Sequence, residues 1–409
     1  MAERFCRSCG TPLIESFADL GMSPLSNAFV SPAGHNRAEV FYPLHAYVCG
    51  DCKLVQLEEF ESPKNIFSDY LYFSSYSDTW LRHCEAYVNL VIERFSLQAA
   101  SQVVEIASND GYLLQYFQAR GIPVLGVEPA ANVAAAAIAR GIASEVAFFG
   151  TQTATGIAAR GLSADLMTAN NVLAHVPDIN DFVAGFAILL KPEGVATFEF
   201  PSLHRLMAQS QFDTIYHEHF SYLSLLAVEL VLDRHSLRVF DVEELPTHGG
   251  SLRVYACHRA ARHMESDRVG VQRRRERDFG LNKIETYRKF PEKIIEIKAR
   301  LLEFLLSARR EGKRVAGYGA PAKGNTLLNY CGIGPEFLPF TVDRSPHKQG
   351  MLLPGIRIPI LHPDAICEHK PDYVLILPWN LRDEIASQMS AVRGWGGRFV
   401  VPVPALEVF

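Results

Sequence analysis

Apolar and polar positions along this 409-residue chain repeat one unit: a short β-branched run, a loop of small residues, then a helical stretch. Val103-Val-Glu-Ile106 is such a run, followed by the loop Ala107-Ser-Asn-Asp-Gly111 and the helix start Tyr112-Leu-Leu114. Val124-Leu-Gly-Val-Glu128, Ala164-Asp-Leu-Met-Thr-Ala-Asn-Asn171 and, after a turn in Leu190-Lys-Pro-Glu-Gly194, the run to Phe200 are predicted as further strands. Leu237 to Leu245 and Ser251 to His258 read as a hairpin. Ile294, Ile297, Leu301, Phe304 and Ala308 recur at spacings of 3, 4, 3 and 4, which predicts a long amphipathic helix. Arg314-Val-Ala-Gly-Tyr-Gly-Ala-Pro-Ala-Lys-Gly324 then starts a second series of strands, with Phe337 to Asp343, Asp372 to Pro378 and Phe399 to Pro404. The pattern predicts an α/β protein with two doubly wound domains.

A strand closing on Glu105, a tight loop, a helix and a second strand closing on Glu128 form one chemical unit. The loop offers a backbone cradle for a nucleoside, and Glu128 stands where a parallel sheet presents a carboxylate to two ribose hydroxyls. A nicotinamide-type site would need G-x-G-x-x-G after the first strand, and Glu105-Ile-Ala-Ser-Asn-Asp-Gly111 lacks it. The strand to Asn171 would bring Asn170, Asn171 and His175 to the rim of the same crevice. A lone His at a helix start is compatible with either a structural or a catalytic role.

The length predicts two to three domains. Hydrophobic residues make up 48% and charged residues 21%, enough apolar material for separate cores. A net charge of −5 argues against a nucleic-acid substrate, which calls for a basic face. No run of about eighteen apolar residues and no signal-peptide core is present, so a soluble cytoplasmic protein without a membrane partner is expected. Of eight cysteines, four form the pairs Cys6-Arg-Ser-Cys9 and Cys49-Gly-Asp-Cys52. Two C-x-x-C knuckles supply the four thiolates of a structural zinc site, against the alternative of two disulfides in a reducing compartment. Cys84, Cys257, Cys331 and Cys367 are isolated and are expected in the core.

Two further stretches carry chemistry. Phe67-Ser-Asp-Tyr-Leu-Tyr-Phe-Ser-Ser-Tyr-Ser77 is dense in hydroxyls and aromatics. It reads either as packing and capping or as a cover for the cofactor or substrate. Tyr216-His-Glu-His219 brings together a phenol, two imidazoles and a carboxylate. The two His, at i and i+2, do not match the metalloprotease spacing H-E-x-x-H. Proton transfer suits the group better, with a His held by a carboxylate and a Tyr donating to a developing oxyanion; a solvated polar helix start is the bland alternative. Arg273-Arg-Arg-Glu-Arg277 reads as a solvated helix face rather than a phosphate site.

The Glu105 to Gly111 and Glu128 motifs resemble those of class I S-adenosylmethionine-dependent methyltransferases, which usually have Gly where this chain has Ala107. The resemblance sharpens to the sugar C-methyltransferases that act on nucleotide-linked 4-keto-deoxysugars, such as the TDP-ketosugar 3-C-methyltransferases. It rests on the four cysteines, the Tyr70 to Ser75 stretch, Glu105 to Gly111, Asn170-Asn-x-x-x-His175, Tyr216-x-Glu-His219, His248-Gly-Gly-Ser-Leu-Arg253 and Gly317-Tyr-Gly-Ala320. The resemblance implies a zinc-binding module at 1–65, a methyltransferase domain at 66–262, a helical linker at 263–312 and a Rossmann-like α/β domain at 313–409.

It implies further that His219 is the base, with Tyr70, His175, Tyr216 and Glu218 lining the active site; enolate chemistry would have His219 take the sugar α-proton, oriented by Glu218. S-adenosylmethionine would be held by Tyr72, Glu105, Ala107, Asn109, Asp110, Gly111, Glu128, Pro129, Asn170 and Asn171. The nucleotide-diphosphate ketosugar would meet His248, Gly249 and Lys323. Lys323 lies in a Gly-rich loop that is either a phosphate site or a structural turn; Gly317, Gly319 and Asp343 only partly match a dinucleotide fingerprint. A nicotinamide-dependent sugar oxidoreductase, an O-methyltransferase and a non-catalytic zinc scaffold are the competing readings. The oligomeric state stays open, with a monomer favoured.

Overall fold

The protein is described from a computed structural model covering residues 4–62, 64, 74–76 and 78–409. Tyr70 and Tyr72 lie outside the described residues. The chain forms two compact units, one of Met1–Ile14, Cys49–Leu203 and Phe220–Lys283, the other of Glu15–Val48, His204–His219 and Ile284–Phe409.

The first unit is built on a seven-stranded sheet: β1 (Val103–Ile106), β2 (Val124–Val127), β3 (Ser144–Glu145), β4 (Ala164–Asn170), β5 (Leu190–Pro201), β6 (Leu237–Leu245) and β7 (Ser251–His258). Their order is β6-β7-β5-β4-β1-β2-β3. β1 to β5 pair in parallel, while β7 is antiparallel to both β5 and β6. Val103, Val104, Leu166, Met167 and Ala169 are buried, as parallel strands covered on both faces require. Because β1 has β2 on one side and β4 on the other, the chain reverses direction there, and the crevice beyond the carboxyl ends of β1 and β4 is where such sheets bind ligands. The helix Asp78–Arg94 buries Cys84, Tyr87, Val88 and Val91 in the same cluster as Val103, Leu166, Val195 and Tyr255. Its Tyr87 hydroxyl bonds the Thr197 hydroxyl of β5 at 2.6 Å.

The turn expected at Lys191–Gly194 is absorbed into β5. Ala164 pairs with Leu190 and Leu166 with Val195, so the Lys-Pro-Glu-Gly segment bulges out of a strand that continues to Pro201. His175 ends a short 3-10 turn, Leu173–His175, rather than starting an α-helix.

The second unit holds a six-stranded sheet of β8 (Val315–Tyr318), β9 (Thr341–Val342), β10 (Ile360–Leu361), β11 (Tyr373–Ile376), β12 (Arg398–Val401) and β13 (Glu407–Val408), in the order β10-β9-β8-β11-β12-β13. Only β13 runs antiparallel to its neighbour. The hairpin Glu15–Ser23 with Tyr42–Val48 belongs to this unit too, although the sequence places it within a zinc module at 1–65. The reason is aromatic: Phe17 stacks on Phe290 at 4.8 Å and meets Tyr287 edge-on. The helix Phe290–Arg310 buries Ile294, Ile297, Leu301, Leu305 and Ala308. Leu305 takes the buried place expected for Phe304, which packs edge-on to Tyr373 at 5.0 Å.

Candidate active site and cofactor crevice

The loop after β1 is shaped by three left-handed residues at alternate positions, Ala107 (φ 55°), Asn109 (φ 50°) and Gly111 (φ 78°). Left-handed backbone favours glycine because a Cβ crowds the following carbonyl. Only Gly111 also lacks room: a Cβ there would stand 2.3 Å from Ile142 Cδ1. Glu128, at the end of β2, accepts the Asn109 amide at 2.9 Å and the Ala130 amide at 2.8 Å, and Pro129 lies between them in sequence. A carboxylate has about four acceptor sites, so these bonds fix Glu128 and leave capacity for ribose hydroxyls.

Around these strand ends, buried polar atoms stand without hydrogen-bond partners among the described residues: Ser108 Oγ, Asp110 Oδ1, Asn170 Nδ2 and Asn171 Oδ1, while the buried Glu105 carboxyl faces the Tyr112 hydroxyl. Such atoms each cost about 1–3 kcal/mol when left unpaired. Burial also pushes the Glu105 carboxyl well above its ordinary range. Concentrated at the switch of the sheet, these groups fit a polar ligand with hydroxyl, amino and carboxylate groups, as S-adenosylmethionine has. The turn Ser74–Tyr76 is fastened to this loop, with the Ser74 amide donating to Asn109 Oδ1 at 2.9 Å and the Ser75 hydroxyl bonding Asp110. Arg140 braces Asp110 from the other side at 3.1 Å. This end of the Tyr- and Ser-rich stretch is therefore hydrogen-bonded to the loop after β1.

A buried polar network at the adjoining strand β5 was not foreseen from the sequence. Glu199 on β5 pairs with Asn170 of β4, and its fully buried carboxyl meets His83 Nε2 at 3.0 and 3.1 Å, Arg253 at 2.8 Å and the Thr247 hydroxyl at 3.0 Å. Burial alone would raise this group, but the His83 hydrogen bond and the Arg253 charge hold it below the usual carboxylate range. The network anchors the Thr247–Gly249 turn, in which His248 (φ 53°) and Gly249 (φ 89°) are both left-handed. A cavity of about 660 Å³ lies beside it, lined by Leu90, Val242, Arg268 and Gln272 among others. It shares His83 and Arg253 with the network but includes none of the cofactor-loop residues, so it is not the cofactor site.

In the second unit, Tyr216–His219 forms a turn, not a helix start. His219 Nδ1 donates to the Thr214 carbonyl at 2.9 Å, and the Tyr216 ring lies against the imidazole with centroids 4.0 Å apart. Thr214 is thus a contact that orients the ring. Glu218 accepts from Asn27 Nδ2 at 2.6 Å, and burial pushes its carboxyl above the ordinary range. The other imidazole of the pair, His217, packs edge-on to Tyr42 with Nε2 3.2 Å from the Pro43 carbonyl. Burial depresses it, as suits a neutral, structural ring.

Lys323, near the start of the helix Ala322–Cys331, donates to Asn380 at 2.6 Å and lies 4.3 Å over the Trp379 ring. Burial lowers it to about 8, against the attraction of Asp213. Asp343 is already occupied, accepting the Ala320 amide and the Ser345 amide at 2.8 Å each. Gly319 is held close to its own unit, where a Cβ would stand 2.5 Å from Pro378 Cδ.

The Sγ atoms of Cys6, Cys9, Cys49 and Cys52 all lie within 4.8 Å of one another. Cys6 and Cys52 are 3.5 Å apart and Cys9 and Cys49 3.4 Å, while Zn–S bonds of about 2.3 Å make a tetrahedron with edges of about 3.8 Å. Each knuckle closes on a left-handed residue, Gly10 (φ 74°) or Lys53 (φ 60°). Gln56 Nε2 and the Asp51 amide donate to Cys6 and Cys49 sulfurs at 3.2 and 3.4 Å, as around a thiolate cage. Cys84, Cys257 and Cys331 are buried as expected, but Cys367 is exposed. The basic run is ion-paired on a helix face, with Arg273 bonded to Glu229 and Glu265.

Three family models cover the chain: a zinc binding domain at residues 6–67, a methyltransferase domain at 80–242 and a C-methyltransferase C-terminal domain at 246–404. C-methyltransferase NovU of Streptomyces niveus is 38% identical over 403 residues, 98% of this chain and 96% of that protein. The chain belongs to the C-methyltransferase family. Among solved structures, the magnesium protoporphyrin IX methyltransferase of Synechocystis PCC 6803 with bound SAM shares 13% identity at a TM-score of 0.34, over 48% of this chain and 88% of that one. The PH0226 protein of Pyrococcus horikoshii OT3 shares 14% identity at a TM-score of 0.36, over 49% and 99%. This C-methyltransferase uses S-adenosylmethionine and carries a zinc-binding four-cysteine cluster. No helix among the described residues is long and apolar enough to cross a membrane.

The sequence reading missed Thr214, Asn27, Glu199 and Asp213 in this C-methyltransferase. Asn27 carried a weak signal, as the one amide in the turn-rich Leu20–Phe29. Glu199 carried another, as an acid in an otherwise apolar strand end.

Proposed function

We propose that this C-methyltransferase methylates the carbon beside the ketone of a nucleotide-diphosphate 4-keto-deoxysugar, with His219 as the base. The observation that supports this most is the hydrogen bond from His219 Nδ1 to the Thr214 carbonyl. A carbonyl can only accept, so Nδ1 holds the hydrogen and Nε2 of the neutral ring holds the lone pair that can take a proton. A carbon beside a ketone becomes nucleophilic once its proton is removed, which explains why this fold would place an imidazole and a phenol together. His219 takes the α-proton, and the C–H electron pair becomes the double bond of an enolate. Tyr216 and His175, with Tyr70, stabilise the enolate oxygen. S-adenosylmethionine supplies the methyl group as an electrophile.

Glu128, Asn109, Asp110, Gly111, Asn170 and Asn171, with Glu105, Ala107, Pro129 and Tyr72, hold the methyl donor. His248 and Gly249 contact the sugar, and Lys323 meets the diphosphate as a compact positive charge. The protein is placed in the cytoplasm and favoured as a monomer, with no nucleic-acid partner.

The test is product analysis after incubation with carbon-13-labelled methyl donor and a panel of nucleotide-bound 4-ketosugars. A new methyl carbon bonded to carbon in the NMR spectrum is the expected result. A methyl bonded to oxygen, or turnover only with a nicotinamide, contradicts it.

A further inference from the structure

Asp213 lies inside the second unit with no solvent exposure, in the 3-10 turn Phe212–Thr214. Its Oδ2 accepts the Trp379 indole N–H at 2.7 Å, and the carboxyl also faces the Thr214 amide and the charge of Lys323. A dry, charged acceptor is an expensive way to fill a core when an apolar side chain would pack there at less cost. Its place in the chain gives it a use. The next residue is Thr214, whose carbonyl holds His219 Nδ1 at 2.9 Å. The residue after that, Ile215, gives its carbonyl to the Thr326 hydroxyl at 3.1 Å. Two side chains of the C-terminal α/β domain, one after β11 and one on the helix after β8, therefore hold the residues on either side of Thr214, the first through the Asp213 carboxylate and the second through the Ile215 carbonyl.

We infer that Trp379, acting through Asp213, is a positioning residue for His219: its indole N–H fixes the side chain of the residue just before Thr214, whose carbonyl sets the direction of the imidazole. The inference rests on the reading of His219 as the base. It gives the C-terminal domain a role that a partial dinucleotide fingerprint does not, namely to clamp the segment carrying the base. Thr326 is the second clamp on that segment. Geometry of this kind matters because a misdirected base is still present but seldom in line with the proton it must take.

The test uses the full-length protein with zinc in place, and TDP-4-keto-6-deoxyglucose as probe. Trp379→Phe keeps an aromatic ring beneath Lys323 and removes the indole N–H together with part of the ring's volume. Its kcat is expected to fall about tenfold, with KM for the sugar and the dissociation constant for S-adenosylmethionine within about twofold of wild type. Solvent deuterium exchange at the sugar carbon, without methyl donor, should fall by the same factor as kcat. Asp213→Asn keeps a carbonyl acceptor for the indole and should retain kcat within about threefold.

Trp379→Phe with wild-type kcat, or with a raised KM alone, overturns the inference. So does an Asp213→Asn variant as slow as Trp379→Phe, since the bond and not the charge is assigned the role. His219→Ala is run alongside. If it keeps wild-type exchange, the base assignment itself has failed; if it loses exchange while Trp379→Phe keeps it, only the positioning role has failed.

Discussion

Ala107 shows how much one side chain can conceal. The class I methyltransferase motif that this loop resembles usually has glycine there, and the residue sits at φ 55°, a left-handed backbone that glycine adopts more readily. Left-handed backbone costs an alanine roughly 1 kcal/mol or more, and glycine recovers most of that while adding entropy to the unfolded chain. Ala107→Gly is therefore expected to leave stability unchanged or raise it by up to about 1 kcal/mol, whereas the same exchange inside a helix costs about that much. Denaturant unfolding decides it: a loss of 1 kcal/mol or more would show that the loop has no strain to relieve. The Tyr216–His219 cluster gives a second lesson at this scale. Two imidazoles two residues apart have the same chemistry in the sequence, yet His217 packs against Tyr42 while His219 is turned by a backbone carbonyl. No sequence motif encodes a carbonyl direction.

At the scale of elements, the strands of the central sheet were legible because burial on both faces demands unbroken apolar runs. The cofactor motifs sit at strand ends, where topology rather than packing decides what is exposed, so their place followed from the strand order. The second sheet was less legible. Its β9, β10 and β13 are two residues long, too short to show any period. The four-cysteine cluster was plain from spacing, because knuckle geometry is local even when the intervening segment folds elsewhere. Its sulfurs are already gathered within 4.8 Å, and withdrawing the metal leaves four thiolates confined together in a partly buried cage. Chelation, or Cys49→Ser, is expected to lower the melting temperature by several degrees and loosen residues near 6–13 and 49–57. Hydrogen exchange would report that, and an unchanged protection pattern after verified metal loss would refute a structural zinc.

At the scale of the molecule, the two units divide the chemistry as the contiguous segments of the sequence do not. The Glu105–Gly111 loop, the Glu199 network and the zinc cage belong to one, while His219, Glu218 and Lys323 belong to the other. Non-local pairings such as Phe17 on Phe290 and Trp379 on Asp213 decide this, and pattern reasoning along the chain does not reach contacts separated by more than 150 residues. The central claim is that one imidazole makes a sugar carbon nucleophilic. Its most direct test is solvent deuterium uptake beside the ketone of TDP-4-keto-6-deoxyglucose, measured by NMR without methyl donor for wild type and His219→Ala. A positioned base contributes about a hundredfold or more. The account predicts uptake by the wild type and its loss by at least that factor in the variant; uptake kept within a few-fold in His219→Ala would contradict it.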